Sequence, residues 1–188
     1  RYQRDVLVRL RKAPIFHICL ISGVALGWGT EFLITADYKI ATPKASFGLP
    51  ETGLGILPGA GGTSELQSLI GLPHTLRLGM TGERITSDEA RRIGLVQECS
   101  VDFDAGFARA VELCKMVEKK SPSAIAAFKA ASLSAVGASE RTRMEAEARA
   151  YEHCVDTGEA AVGRASFQII REGGVPKWGQ RTLHSPSS

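Results

Sequence analysis

The sequence is short of the residues from which metal centres and disulfide frameworks are built. Its four cysteines, Cys19, Cys99, Cys114 and Cys154, are far apart and form no CxxC pair, which argues against a zinc knuckle or a stapled secreted scaffold and makes a reducing compartment the default. The four histidines, His17, His74, His153 and His184, are equally dispersed, and no HExxH occurs, so no metal site is expected. There is no GxSxG for a nucleophile elbow, no GK[ST] for a P-loop, and Gly59-Ala60-Gly61-Gly62-Thr63-Ser64 lacks the third glycine of a dinucleotide fingerprint. Long apolar runs are missing too. Residues 14–21 and 24–34 are interrupted by His17, Ser22, Thr30 and Glu31 and fall short of the roughly 20 apolar residues of a membrane span. The chain opens on Arg1 and shows no charged-then-apolar leader, so no targeting segment is assigned.

Nor is there an excess of positive charge spread over a whole domain. Arg1, Arg4, Arg9, Arg11 and Lys12 against Asp5 give the first twelve residues more positive charge than the net +3 of the entire 188-residue chain. Such a local cluster does not make a polynucleotide-binding face, although a small anion site is compatible with it. The length suits one compact unit with a single buried core.

What is present is glycine, twenty of them, densest between Gly53 and Gly62. Around it the pattern is α/β up to about residue 100. Tyr2, Val6 and Leu10 recur every four residues and predict a basic amphipathic helix ending before Pro14. Residues 15–21 read as a buried strand with His17 as a satisfied core histidine. Residues 23–31 read as a small-residue turn, followed by a helical piece over 32–36. Residues 37–41 and 45–49 are short strand candidates flanking Thr42-Pro43-Lys44. Helices are expected over 63–70 and 73–80, and Thr86-x-x-Glu89 is a capping box for another that Gly94 ends. Residues 95–97 return as an extended piece. Beyond Phe103 the spacing is helical throughout: one helix to Lys120, one opened by Ser121-Pro122, one capped by Ser139 with the stripe Met144, Ala148, Tyr151, Val155, and a last one over 159–171. These stripes are expected to be core or interface.

Two glutamates stand in apolar, glycine-rich surroundings, Glu31 and Glu51. Buried carboxylates gain proton affinity, and two that share one water can divide the work of base and acid. The plain structural alternative is that Glu31 opens a helix as a charge partner and Glu51 caps a turn.

Four blocks in order then resemble the enoyl-CoA hydratase/isomerase (crotonase) family: residues 22–31 with Gly27-Trp28-Gly29-Thr30-Glu31, Ala36-Asp37, Phe47-Gly48-Leu49-Pro50-Glu51, and residues 55–63 with Pro58-Gly59-Ala60-Gly61-Gly62. The resemblance implies a crotonase-like spiral of ββα units, N-terminally incomplete, followed by a helical trimerisation region. Residues 1–100 would be the C-terminal part of the spiral core with the active-site glutamates, 101–180 the oligomerisation region and 181–188 a flexible tail. It implies an enoyl-CoA hydratase-like lyase that adds water to the double bond of a 2-enoyl-CoA thioester, with Glu31 and Glu51 catalytic, the backbone N–H of Trp28 as one oxyanion donor, and Gly27, Gly29, Pro50 and Gly59 lining the substrate. Small residues at 58–62 are expected to let the backbone approach the second carboxylate, Glu51, and the substrate. No metal or separate cofactor is implied, since coenzyme A belongs to the substrate. The family supplies its other oxyanion donor from a segment upstream of these blocks. Nothing here matches that segment, so the chain is expected to be part of a complete enzyme. A homotrimer or dimer of trimers is implied, without nucleic-acid partners, in the cytoplasm or a eukaryote's mitochondrial matrix. Enoyl-CoA isomerase, acyl-CoA hydrolase and a non-catalytic acyl-CoA-binding or assembly subunit remain as alternatives.

Overall fold

In the computed structural model, which describes residues 2–179, the chain divides into two compact units, residues 1–11 with 17–112, and residues 12–16 with 113–188. The first unit opens with α1, Tyr2–Lys12, as its four-residue spacing predicts, with Leu7 fully buried. Strand β1 is Ile18–Ile21 and strand β2 is Val24–Leu26. The turn expected at 23–31 is therefore a strand followed by a helix: α2, Trp28–Leu33, starts four residues ahead of the predicted piece because Gly27 turns the chain sharply at φ +54. Strands β3, Tyr38–Ala41, and β4, Ser46–Gly48, fall where the apolar runs place them.

Two small open sheets result. In the first, β3 lies between β1 and β6, Glu98–Cys99, all parallel. In the second, β4 lies between β2 in parallel and β5, Ile85–Thr86, in antiparallel. The strand pairs adjacent in sequence thus belong to different sheets, and β1–β2–α2 and β3–β4 followed by a 3-10 turn, Pro50–Leu54, stack as ββα-type repeats. Phe47, Leu49, Leu66, Leu78, Ala90, Leu95 and Val96 form the core, each at most 1% exposed. Helix α3, Leu66–Thr81, starts three residues after its expected beginning and is broken at Gly71, so the two expected helices are two segments of one interrupted rod. Helix α4, Ser87–Arg92, is capped as the sequence proposes, with Thr86 Oγ1 accepting from the Glu89 amide at 3.4 Å.

Helix α5, Phe103–Glu118, leads into the second unit. There α6, Pro122–Ala135, packs on α7, Glu140–Asp156, and α7 on α8, Glu159–Ala165; a short α9, Phe167–Arg171, follows. The single helix expected over 159–171 is interrupted at Ser166. Ser121 caps α6 through the Ala124 amide and also hydrogen-bonds Glu159, a carboxylate only 6% exposed whose other oxygen accepts from the Gly179 amide at 2.7 Å. Trp178 donates its indole N–H to the Lys119 carbonyl at 3.0 Å. The tail expected at 181–188 and His184 lie outside the described residues. No helix among the described residues is long and apolar enough to cross a membrane.

Candidate active site

Strands β2 and β4 run side by side in register, Leu26 opposite Gly48, and their carboxyl ends open the site. Each is followed at once by a carboxylate-bearing turn of helix, Glu31 on α2 and Glu51 in the 3-10 turn. Parallel strands whose connections leave at the same end bring loops of distant sequence together there. The Gly27 amide donates to the Gly48 carbonyl at 2.9 Å. Thr30, fully buried, seals the same corner by donating its hydroxyl to the Ala25 carbonyl at 2.8 Å and the Gly48 carbonyl at 3.0 Å. The start of α2 is thereby tied to both strands, and Trp28, its first residue, has an amide outside the intrahelical ladder.

The two carboxylates sit in unlike surroundings. Glu31 is 3% exposed, and its Oε1 accepts from the Ala60 amide at 2.6 Å and the Gly62 amide at 3.0 Å. Glu51 is 9% exposed, and its Oε2 is buried with no hydrogen-bond partner among the described residues. Burial raises the pKa of Glu51 from the ordinary carboxylate value; a hydrogen bond to its own backbone opposes this in part, and the charge of Glu31 adds a smaller push upward.

Gly27 stands against Glu51, where a Cβ would come within 2.9 Å of Oε1. Gly29, the second residue of α2, rests on Ala25, and Pro50 opens the 3-10 turn under Gly82. Gly59 accepts from Arg4 Nε at 2.9 Å. The glycine-rich segment does bring backbone to a carboxylate, but the one it reaches through hydrogen bonds is Glu31 and not Glu51, because the turn at 60–62 directs its N–H groups at α2. The Trp28 side chain is exposed and packs on Phe32 with ring centroids 5.6 Å apart. Sequence reasoning passed over Thr30 and the Ala60 and Gly62 amides. A threonine next to a buried glutamate carried the first signal, while the second is invisible without the fold. Among the described residues no group of three or more His, Cys, Asp or Glu is placed to hold a metal ion, and all four cysteines are free thiols.

Comparison with known proteins bears on this arrangement. The enoyl-CoA hydratase/isomerase family profile matches residues 2–181. YngF of Bacillus subtilis (strain 168), named as an enoyl-CoA hydratase/isomerase, is 38% identical over 154 residues, 82% of this chain and 59% of that protein. An Arabidopsis thaliana protein named as a mitochondrial enoyl-CoA hydratase 2 is 37% identical over 155 residues, 82% of this chain and 51% of that protein. The crystal structure of an enoyl-CoA hydratase from Bacillus anthracis superposes with a TM-score of 0.85 at 34% identity, over 94% of this chain and 67% of that one. The chain thus spans between about half and three fifths of the length of these two curated relatives.

Proposed function

The chain belongs to the enoyl-CoA hydratase/isomerase (crotonase) family, and we propose that it serves the hydratase reaction, syn addition of water across the double bond of a trans-2-enoyl-CoA thioester. The observation that carries this reading is the asymmetry of the two carboxylates. Glu31, an acceptor held by two backbone amides, suits a base, and Glu51, buried and biased toward its protonated form, suits an acid.

In the proposed cycle Glu31 takes a proton from a water whose oxygen bonds to the β-carbon. The π electrons move toward the thioester carbonyl, and the oxyanion is met by the Trp28 N–H. The α-carbon then takes the proton of Glu51 as the carbonyl reforms. Glu31 ends protonated and Glu51 ionised, and exchange with solvent restores both. An oxyanion donor of this kind is worth about 3 kcal/mol in other enzymes, and because it is main chain a tryptophan at that position is compatible with the role. No separate cofactor enters these steps, and Gly27, Gly29, Pro50 and Gly59 are proposed to line the substrate.

Self-association as a homotrimer or dimer of trimers is part of the same reading. Phe128, Met144 and Tyr151 are 74%, 64% and 71% exposed on helices whose apolar stripes predict a partner. The cytoplasm, or a eukaryote's mitochondrial matrix, is the proposed location.

The test offers the naturally produced protein a 2-enoyl-CoA and a 3-enoyl-CoA side by side. Hydration of the first, lost by roughly 100-fold or more in both Glu31→Gln and Glu51→Gln, is the expected result. Unchanged turnover in both variants overturns the proposal, double-bond migration alone assigns an isomerase, and acyl-CoA binding without turnover assigns a non-catalytic subunit.

A further inference from the structure

The basic cluster at the start of the chain has work inside the molecule. Arg4, Leu7 and Arg11 lie on one stripe of α1, and Leu7, 1% exposed, seats that stripe in the core. Arg4 Nε donates to the Gly59 carbonyl at 2.9 Å. Arg11, whose side chain is 16% exposed, pairs with Glu65 at 2.6 Å. Its guanidinium also lies 3.3 Å from where a Cβ on Gly61 would stand. The Glu65 amide in turn donates to the Gly61 carbonyl at 2.8 Å.

Between these two anchors lie Ala60 and Gly62, the residues whose amides meet Glu31 Oε1. A segment with glycine at 59, 61 and 62 has little conformational preference of its own. Thr63 closes the segment on itself by donating its hydroxyl to the Pro58 carbonyl at 2.7 Å, and α1 adds a tether from outside at each end, by Arg4 at one and by Arg11 at the other.

We infer that α1 is a clamp on the glycine-rich turn, and that Arg11, with Arg4 in support, is a positioning residue for Glu31. The inference rests on Glu31 acting as the base. Neither arginine needs to touch substrate: Arg11 acts through Glu65 and the turn, Arg4 through the Gly59 carbonyl. Partly exposed ion pairs contribute little to stability, so a purely structural role and a positioning role predict different outcomes.

The test uses the naturally produced protein and compares Arg11→Met, Glu65→Met, Arg4→Met and the charge-reversed pair Arg11→Glu/Glu65→Arg. Arg11→Met is expected to lower kcat roughly tenfold, with KM changed by less than about twofold. Hydrogen exchange at the Ala60 and Gly62 amides is expected to quicken about tenfold, with Tm falling by less than about 3 °C. The charge-reversed pair is expected to recover most of kcat. An unchanged kcat in Arg11→Met, exchange that quickens uniformly along the chain, or a reversed pair no better than the single variants would each overturn the inference. Glu31→Gln is assayed alongside. Its retention of wild-type turnover overturns the hydratase reading and this inference with it, whereas lost turnover in Glu31→Gln with Arg11→Met unaffected overturns the inference alone.

Discussion

Substituting Gly27 by alanine places one methyl group against the carboxylate on which the proposed acid step depends. Gly27 holds φ +54 and ψ −120, a conformation that tight turns reserve for glycine, and an L-residue there is strained by about 1–3 kcal/mol. The new Cβ would also stand 2.9 Å from Glu51 Oε1, about 0.5 Å inside ordinary contact. The obstacle is the end of a side chain, so the carboxyl yields and the backbone largely keeps its path. The stability loss therefore comes mostly from backbone strain, while the displacement of Glu51 registers in turnover. Gly55 is the control. It also has positive φ, +75, but a Cβ there meets nothing within 4 Å. Gly27→Ala and Gly55→Ala are each expected to lower Tm by a few degrees, about 2–4 °C per kcal/mol for a chain of this size. Only Gly27→Ala is expected to lower kcat, by roughly tenfold or more, since misplacing a reacting group by about 1 Å costs around 100-fold. In a Glu51→Gln background the same alanine should cost little further turnover, because groups acting as one unit are not additive. Equal kcat in the two alanine variants, or an undiminished loss in the Glu51→Gln background, would refute the reasoning; the latter would move the damage to the Trp28 amide.

Four further outcomes follow from the same contacts. Because burial raises the pKa of Glu51, the native state binds more protons than the unfolded chain above the ordinary carboxylate range, and stability falls as pH rises from about 4.5 toward the native value. Glu51→Gln should remove that slope, so its Tm advantage over wild type grows with pH in thermal melts; a constant difference would contradict the burial argument. Gly62→Ala would set a Cβ 2.6 Å from Pro58 Cβ and 3.3 Å from Glu31 Oε1, and overpacking of this kind costs about 1–3 kcal/mol, read as a lowered denaturation midpoint together with lost turnover. Thr30→Val strips hydrogen bonds from the Ala25 and Gly48 carbonyls at a fully buried site and should cost about 1–3 kcal/mol in urea unfolding. Ser121→Ala removes the α6 cap and a partner of buried Glu159, for about 2–4 kcal/mol in total by the same measurement.

The sequence shows the element types well and their pairing badly, for a physical reason. Caps are local chemistry, so Thr86, Ser121 and Ser139 mark helix starts that the structure reproduces, each side chain accepting from an amide three residues on. Strand β2 is three residues long and contains one buried side chain, Ala25, too little for an alternating pattern to emerge. Reading it as a turn hid the parallel pairing of β2 with β4, and that pairing is what carries Glu31 and Glu51 to one end of a sheet. The glutamates themselves were legible as buried charge in an apolar setting. The partners of Glu31 were not, because the Ala60 and Gly62 amides come from a segment some thirty residues away, and a backbone N–H has no side chain to announce it. The stripe of α7 read as core or interface is not core in the structure, where Met144, Tyr151 and Val155 are exposed and Ala146 is the buried residue of that helix.

The glycine density of residues 53–62 acquires a more specific meaning once the carboxylates are placed. A turn needs glycine for its dihedral angles, and Gly55 with its open surroundings is of that kind. Gly62 is different. Its φ is not in the left-handed region, yet an added Cβ would meet Pro58, Leu49 and Glu31 Oε1 within 3.3 Å. Gly27 combines both constraints, facing Glu51 Oε1 in a positive-φ conformation. Each carboxylate thus has one glycine whose missing side chain lets backbone close on an oxygen, Gly62 donating to Glu31 and Gly27 backing Glu51. Close backbone delivers N–H groups to Glu31, whereas Glu51 is buried with an oxygen that has no hydrogen-bond partner among the described residues, and its proton affinity is raised. The same economy of side-chain volume that packs the turn therefore gives the two carboxylates the unlike surroundings on which their proposed roles as base and acid rest.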